Sequence, residues 1–195
     1  MNGFKQKVKE KIKQYSNDEY LDGYIKNEFL TKDGDADIIL KVTSHNALFD
    51  ARTEGNQLDL NSKIYDFIDN KASMLNNDIQ IHLHIKGLNL NHHEQGIVKH
   101  IINEHYAIEL YKVQKKYNRY KNKVFKLVVL GLFFLTCYAF IALQFSSKFF
   151  IEVFGFLFSF TLWEAFDTLI YAFSDIKLQR EIITQKLIMD IDFDK

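Results

Sequence analysis

The sequence predicts an α+β cytoplasmic domain joined by a long helical stalk to a two-helix transmembrane hairpin. Three observations carry this. Leu127 to Ser147 is a run of 21 residues without a charge, the length a helix needs to cross about 30 Å of hydrocarbon. The stretch "DIQIHLHIKG" alternates strictly, with Ile79, Ile81, Leu83 and Ile85 on one side and Gln80, His82, His84 and Lys86 on the other, which is the period of a half-buried strand. From Glu94, apolar side chains at Val98, Ile102, Tyr106, Leu110, Val113, Tyr117, Tyr120 and Val124 follow three- and four-residue steps directly into the charge-free run, the period of one helix.

The elements follow in order. Phe4, Val8, Ile12 and Tyr15 stand at helical spacing among Lys5, Lys7, Lys9, Lys11 and Lys13. Such a helix either lies on an anionic membrane surface or packs a narrow seam on the rest of the domain. Residues 1 to 30 contain no apolar h-region, so no signal peptide is expected. After a cap at Ser16 to Asp18, Leu21, Tyr24, Ile25 and Phe29 predict a second helix over Glu19 to Leu30, stopped by "KDGD". Asp37 to Val42 reads as a strand and "HNALFDA" as a second one before the turn-rich "RTEGNQ". Asn61 or Ser62 caps a helix carrying Ile64, Phe67, Ile68, Lys71, Ala72 and Leu75, and the alternating strand comes next.

The expected boundaries are a domain over residues 1–93, a stalk over 94–123, a hairpin over 124–173 with spans of 124–145 and 149–173, and a helical tail over 174–195 packing on the stalk. No proline occurs in the chain, so nothing of that kind breaks the stalk. The polar "SSK" at Ser146 to Lys148 turns the hairpin. A buried core hairpin is the competing reading, but core helices of small domains are shorter and carry a polar stripe. Between Leu110 and Lys126 lie Lys112, Lys115, Lys116, Arg119, Lys121, Lys123 and Lys126 with no acid, against Lys148 alone in the turn. The positive-inside rule then places both termini in the cytoplasm of a cell (inner) membrane protein. With Cys137 as the single cysteine, no intrachain disulfide forms.

Carboxylates in an apolar span are unfavourable by at least about 2.5 kcal/mol near its centre, so Glu152, Glu164 and Asp167 each require an account. Glu152 lies in the first turn of the second span, where a helix N-terminus favours negative charge. Antiparallel register from a turn near residue 147 sets residue 168 opposite residue 126, making Lys126 the expected partner of Asp167 and leaving Glu164 unassigned. Three readings stay open for the acids: a register-fixing ion pair, an oligomer whose facing acids line an ion path, or a docking face for another membrane protein. Gly155 and Ser159 form a small-xxx-small pair that permits close helix packing.

The composition carries no nucleotide-binding glycine loop, no hydrolase nucleophile motif and no Cys/His arrangement, so an enzyme is not expected and no cofactor is called for. His82, His84, His92 and His93 are the candidate metal ligands, with His100 and His105 five residues apart and not four. Neither "HHEQG" nor "HIINEH" has metal-site spacing, and a solvated polar surface accounts for them. Asp33, Asp35 and Asp37 lack the glycine position and closing glutamate of a calcium loop. The basic cluster adjoins a bilayer, so anionic lipid headgroups and not nucleic acid are its expected partner.

The order of a small α+β domain, a basic helical segment, a two-span hairpin, the "W-E-x-x-D" set of Trp163, Glu164 and Asp167 and a charged helical tail resembles an uncharacterised group of small bacterial two-pass membrane proteins. The resemblance spans roughly residues 60–195 and implies architecture but no activity. The expectation is thus a non-enzymatic membrane protein presenting a binding or regulatory domain to a membrane-protein partner or to further copies of itself. The alternative is a homo-oligomeric ion or proton channel, or membrane-perturbing effector, built on Glu164 and Asp167.

Overall fold

A computed structural model describes residue 11, residue 23, residues 28–144 and residues 148–194. The expected helix over the first fifteen residues, most of the one over Glu19 to Leu30 and the hairpin turn itself lie outside the described residues. The described chain is mostly helical with a small parallel sheet, and it divides into two compact units, Met1–Ala107 with Thr184–Lys195 and Ile108–Ile183.

The first unit is built on three strands, β1 (Ala36–Lys41), β2 (Ile81–Lys86) and β3 (Asp190–Asp194), in the order β1-β2-β3 with both pairings parallel. Alternation sorts their side chains between two faces. Ala36, Ile38, Leu40, Ile81, Leu83, Ile85 and Ile191 are buried; Asp37, His82, His84 and Asp190 point the other way. Parallel neighbours require a crossover. The first runs through α1 (His45–Leu48) and α2 (Ser62–Ala72), which buries Ile64, Tyr65, Ile68 and Ala72. Asn61 caps α2 by accepting from the Lys63 amide at 3.1 Å. Gly87, just past β2, has φ +96°, and a Cβ there would meet the Val42 carbonyl oxygen at 2.6 Å, so this turn admits only glycine.

The second crossover is everything between Gly87 and Met189. It begins with α3 (His92–Gln144). Asn91 and Glu94 close a reciprocal capping box, the Asn91 amide donating to Glu94 Oε2 at 2.8 Å and the Glu94 amide to Asn91 Oδ1 at 2.9 Å. The start of α3 buries Val98, Ile101, Ile102 and Tyr106 in the first unit, the i, i+3, i+4, i+8 face of an amphipathic helix.

Two expectations are overturned in this unit. "HNALFDA" is not a strand: Ser44 accepts from the Ala47 amide at 3.2 Å and starts the single turn α1, because a serine cap ahead of a segment without period-two alternation favours a turn of helix. The tail over 174–195 is not helical to its end. It leaves the helix after Leu187, and Asp190–Asp194 joins the sheet beside β2. The compact unit takes in α3 as far as Ala107.

The second unit holds the rest of α3, α4 (Lys148–Asp167), a π-helical turn over Thr168–Ala172 and the start of α5 (Phe173–Leu187). Its helices run antiparallel in the expected register: Gly131 faces Thr161, Tyr138 faces Gly155, and the Tyr117 ring lies 5.1 Å from that of Phe173. A Cβ on Gly131 would stand 3.2 Å from Thr161 Oγ1, so this glycine sets the closest approach. Both helices are long and apolar enough to cross a membrane, and only 6% and 11% of their most apolar windows is buried. Leu143, Phe125, Phe149, Phe156 and Trp163 are exposed.

Candidate functional site

Glu164 and Asp167 sit at the end of α4, and the structure assigns the first of them a partner. Lys123 Nζ donates to Glu164 Oε1 at 2.7 Å. The expected pair of Lys126 with Asp167 does not form; among the described residues neither enters an ion pair. The axial register was sound, but the direction around the helix decides the matter. At 3.6 residues per turn Lys126 lies about 140° round α3 from Gly131, which marks the contact seam. Its side chain instead borders an apolar groove with Phe125, Val129, Leu130 and Phe133. Lys123 lies closer to the seam, and a long lysine and a glutamate span the remaining offset.

Below this pair the π-helical turn reshapes the wall. Thr168, 4% exposed, donates its hydroxyl to the Glu164 carbonyl at 2.9 Å, satisfying a backbone group where the ordinary helical ladder is interrupted. Between the turn and α3 opens a cavity of about 340 Å³ whose walls carry Lys116, Lys123, Asp167, Asp175, Tyr120 and Tyr171. A second cleft of about 400 Å³ is lined by Lys116, Arg119, Tyr120 and Lys123. Lys112, Lys115 and Lys121 complete the basic cluster and are exposed, Lys112 lying 3.9 Å from Glu109.

The remaining span residues have local roles. Glu152 is exposed in the first turns of α4. Gly155 lies against the Tyr138 ring, and Ser159 donates back to the Gly155 carbonyl at 3.0 Å. Gly155 therefore serves contact within this hairpin, whereas Ser159 is exposed.

In the first unit the sheet's polar face forms a separate constellation. His82 Nε2 lies 3.5 Å from Asp35 and its Nδ1 3.8 Å from Asp190. His84 Nε2 lies 3.5 Å from Asp37, and its buried Nδ1 is 3.3 Å from Asp194 without hydrogen-bond geometry. Each imidazole thus stands between a carboxylate of β3 and one from β1 or the residue just ahead of it. Lys86 Nζ is 3.0 Å from Asp194 Oδ2 and, with a smaller contribution from His84, holds that carboxyl below its ordinary range. Among the described residues no group of three or more His, Cys, Asp and Glu is arranged to hold a metal ion. His92 and His93 are exposed at the start of α3, and His105 stacks on Tyr65 with ring centroids 3.7 Å apart.

The sequence reading missed Asp190 and Asp194 as members of this face. Their signal was the alternation of "DIDFD", legible once the segment is read at period two. Also missed was a buried lysine. Lys186, 6% exposed, donates to Asp69 Oδ1 at 2.6 Å, and its ammonium lies 5.0 Å from the Tyr106 ring centre. Tyr106 Oη donates to the same carboxylate at 3.1 Å. Nearby, Tyr65 donates to Asp59 at 2.7 Å, and burial first, then that carboxylate, pushes its hydroxyl pKa well up. This network ties α2, α3 and α5 together within the first unit.

No protein family, curated protein or solved structure matches the chain.

Proposed function

We propose that this is a non-enzymatic integral membrane protein whose hairpin spans the bilayer and whose α+β domain binds a partner at the cytoplasmic face. The observation that carries the reading is the outward display of apolar side chains on two long helices, with almost nothing of either apolar window buried. A water-exposed surface of that extent is strongly unfavourable, whereas hydrocarbon solvates it. The basic residues clustered at one end of the hairpin fit the cytoplasmic side of a cell (inner) membrane and contact anionic headgroups.

The partner surface is the polar face of the sheet. Parallel sheets are ordinarily covered on both faces, yet here one face presents Asp37, His82, His84 and Asp190 together with Ile39, which is 56% exposed. An exposed isoleucine amid carboxylates and imidazoles suits a mixed apolar and cationic protein surface. Pairing of Glu164 with Lys123 inside one chain weighs against a pore lined by Glu164 of facing copies.

The test is direct. The full-length protein should float with liposomes after alkaline washing and should carry no ion flux across them. Release by alkali would reject the membrane reading, and a flux abolished by Glu164→Gln would reject the non-conducting one.

A further inference from the structure

We infer that the cavity at the π-helical turn is a binding site for the headgroup of an aminophospholipid, a phosphate diester carrying a primary ammonium. The inference rests on the membrane reading above and goes beyond it, because general attraction of a basic cluster to anionic lipid requires neither a cavity nor an acid.

The cavity, about 340 Å³, falls at the lower end of small-ligand pockets. Its charges are segregated by helix. Lys116 and Lys123, seven residues apart on α3, share one face two turns apart. Asp167 and Asp175 are eight apart on the opposite wall. In a regular helix that spacing would swing Asp175 some 80° from Asp167. The π-helical turn over Thr168–Ala172 wraps one additional residue between them, so eight residues act as seven and both carboxylates meet the same cavity.

Among the described residues no ion pair joins the two walls, although Asp167 is close enough to act electrostatically on Lys123. Lys123 is engaged by Glu164, while among the described residues Lys116, Asp167 and Asp175 enter no ion pair. A cavity with a cationic wall and an anionic wall left separate matches a zwitterion. The phosphate would lie against Lys116 and Lys123, the ammonium between Asp167 and Asp175. The Tyr171 and Tyr120 rings line the same space and offer a cation a π face. Location selects the source: the charge-free run begins at Leu127, one turn beyond Lys123, so the cavity stands at the level of headgroups.

The experiment uses delipidated full-length protein in detergent, challenged with phosphatidylethanolamine, phosphatidylcholine and phosphatidylglycerol, with retained lipid counted by native mass spectrometry. Phosphatidylethanolamine should be retained about tenfold over either competitor, the factor expected when one charge-assisted hydrogen bond is gained. Asp167→Asn with Asp175→Asn should abolish the preference over phosphatidylglycerol, and Lys116→Gln should weaken phosphatidylethanolamine retention. All three positions are exposed, and flotation with liposomes checks that each variant still inserts. Equal retention of phosphatidylethanolamine and phosphatidylcholine, retention of phosphatidylglycerol as strong as phosphatidylethanolamine, or indifference to the paired Asp changes would each overturn the inference. Protein that floats yet shows no preference sinks this site alone; protein that fails to float sinks the membrane reading.

Discussion

The two compact units treat charge and apolar surface in opposite ways. In the first, apolar side chains are hidden and a lysine is buried with them, its ammonium held by Asp69 and the Tyr106 ring. In the second, phenylalanines and leucines face outward, while Lys123 and Glu164 meet at the end of the apolar stretch. On the membrane reading proposed above, the difference is that of two folds matched to different solvents. Where water surrounds the fold, a buried charge must be neutralised inside. Where hydrocarbon does, the outer surface needs no cover and polar groups satisfy themselves locally, as Thr161 does by bonding the Leu157 and Phe158 carbonyls.

The largest expected effect breaks the first side of this contrast. Asp69→Leu leaves the Lys186 ammonium buried without its counter-charge and should cost about 3 kcal/mol of domain stability. Lys186→Met should cost less, because Asp69 is 43% exposed and can be rehydrated. Hydrogen exchange of β2 and α2 amides in the full-length protein measures both, and equal losses would contradict the asymmetry.

Next in size is a comparison of two glycines. Gly87→Ala forces a positive φ and a collision with the Val42 carbonyl and should cost about 2 kcal/mol. Gly131→Ala meets only a threonine hydroxyl at 3.2 Å, which a small separation of the helices relieves, at about 1 kcal/mol or less. Thermal unfolding of the two variants orders them.

A smaller effect tests the hairpin pair. Lys123→Gln should lower the thermal resistance of the hairpin to proteolysis, whereas Lys126→Gln should leave it unchanged. A double change of Lys123 and Glu164 should be less damaging than the two single losses added. Equal sensitivity at positions 123 and 126 would restore the pairing expected from axial register alone.

The smallest effect is one of pH. Because Lys86 holds the Asp194 carboxyl below its unfolded value, the stabilisation is fully present above about pH 4 and is lost as pH falls through the lowered folded value. Amide exchange in β3 should therefore accelerate on acidification, and Lys86→Gln should flatten that response.

Much of the architecture was legible from periodicity. The strand at Ile81–Lys86, the helix capped at Asn61 and the long apolar helices each carry a repeated pattern within one segment. The candidate sites were legible only in part. His82 and His84 were visible as one strand face, but the aspartates that flank them come from Asp35 and Asp37 on one side and from Asp190 and Asp194, more than a hundred residues later, on the other. Glu164 was visible as a charge in need of a partner, and the partner was misassigned because register along an axis says nothing of direction around it.

The sequence by itself determined the longer helices, the alternating strand and which segments are continuously apolar, because these follow from the order of side chains within one element. Only the tertiary structure decided that Asp190–Asp194 closes the sheet, that Lys186 is buried against Asp69 and that Lys123 reaches Glu164. Strand pairing and ion pairing join residues remote in the chain, and their choice depends on the packing that brings those residues together.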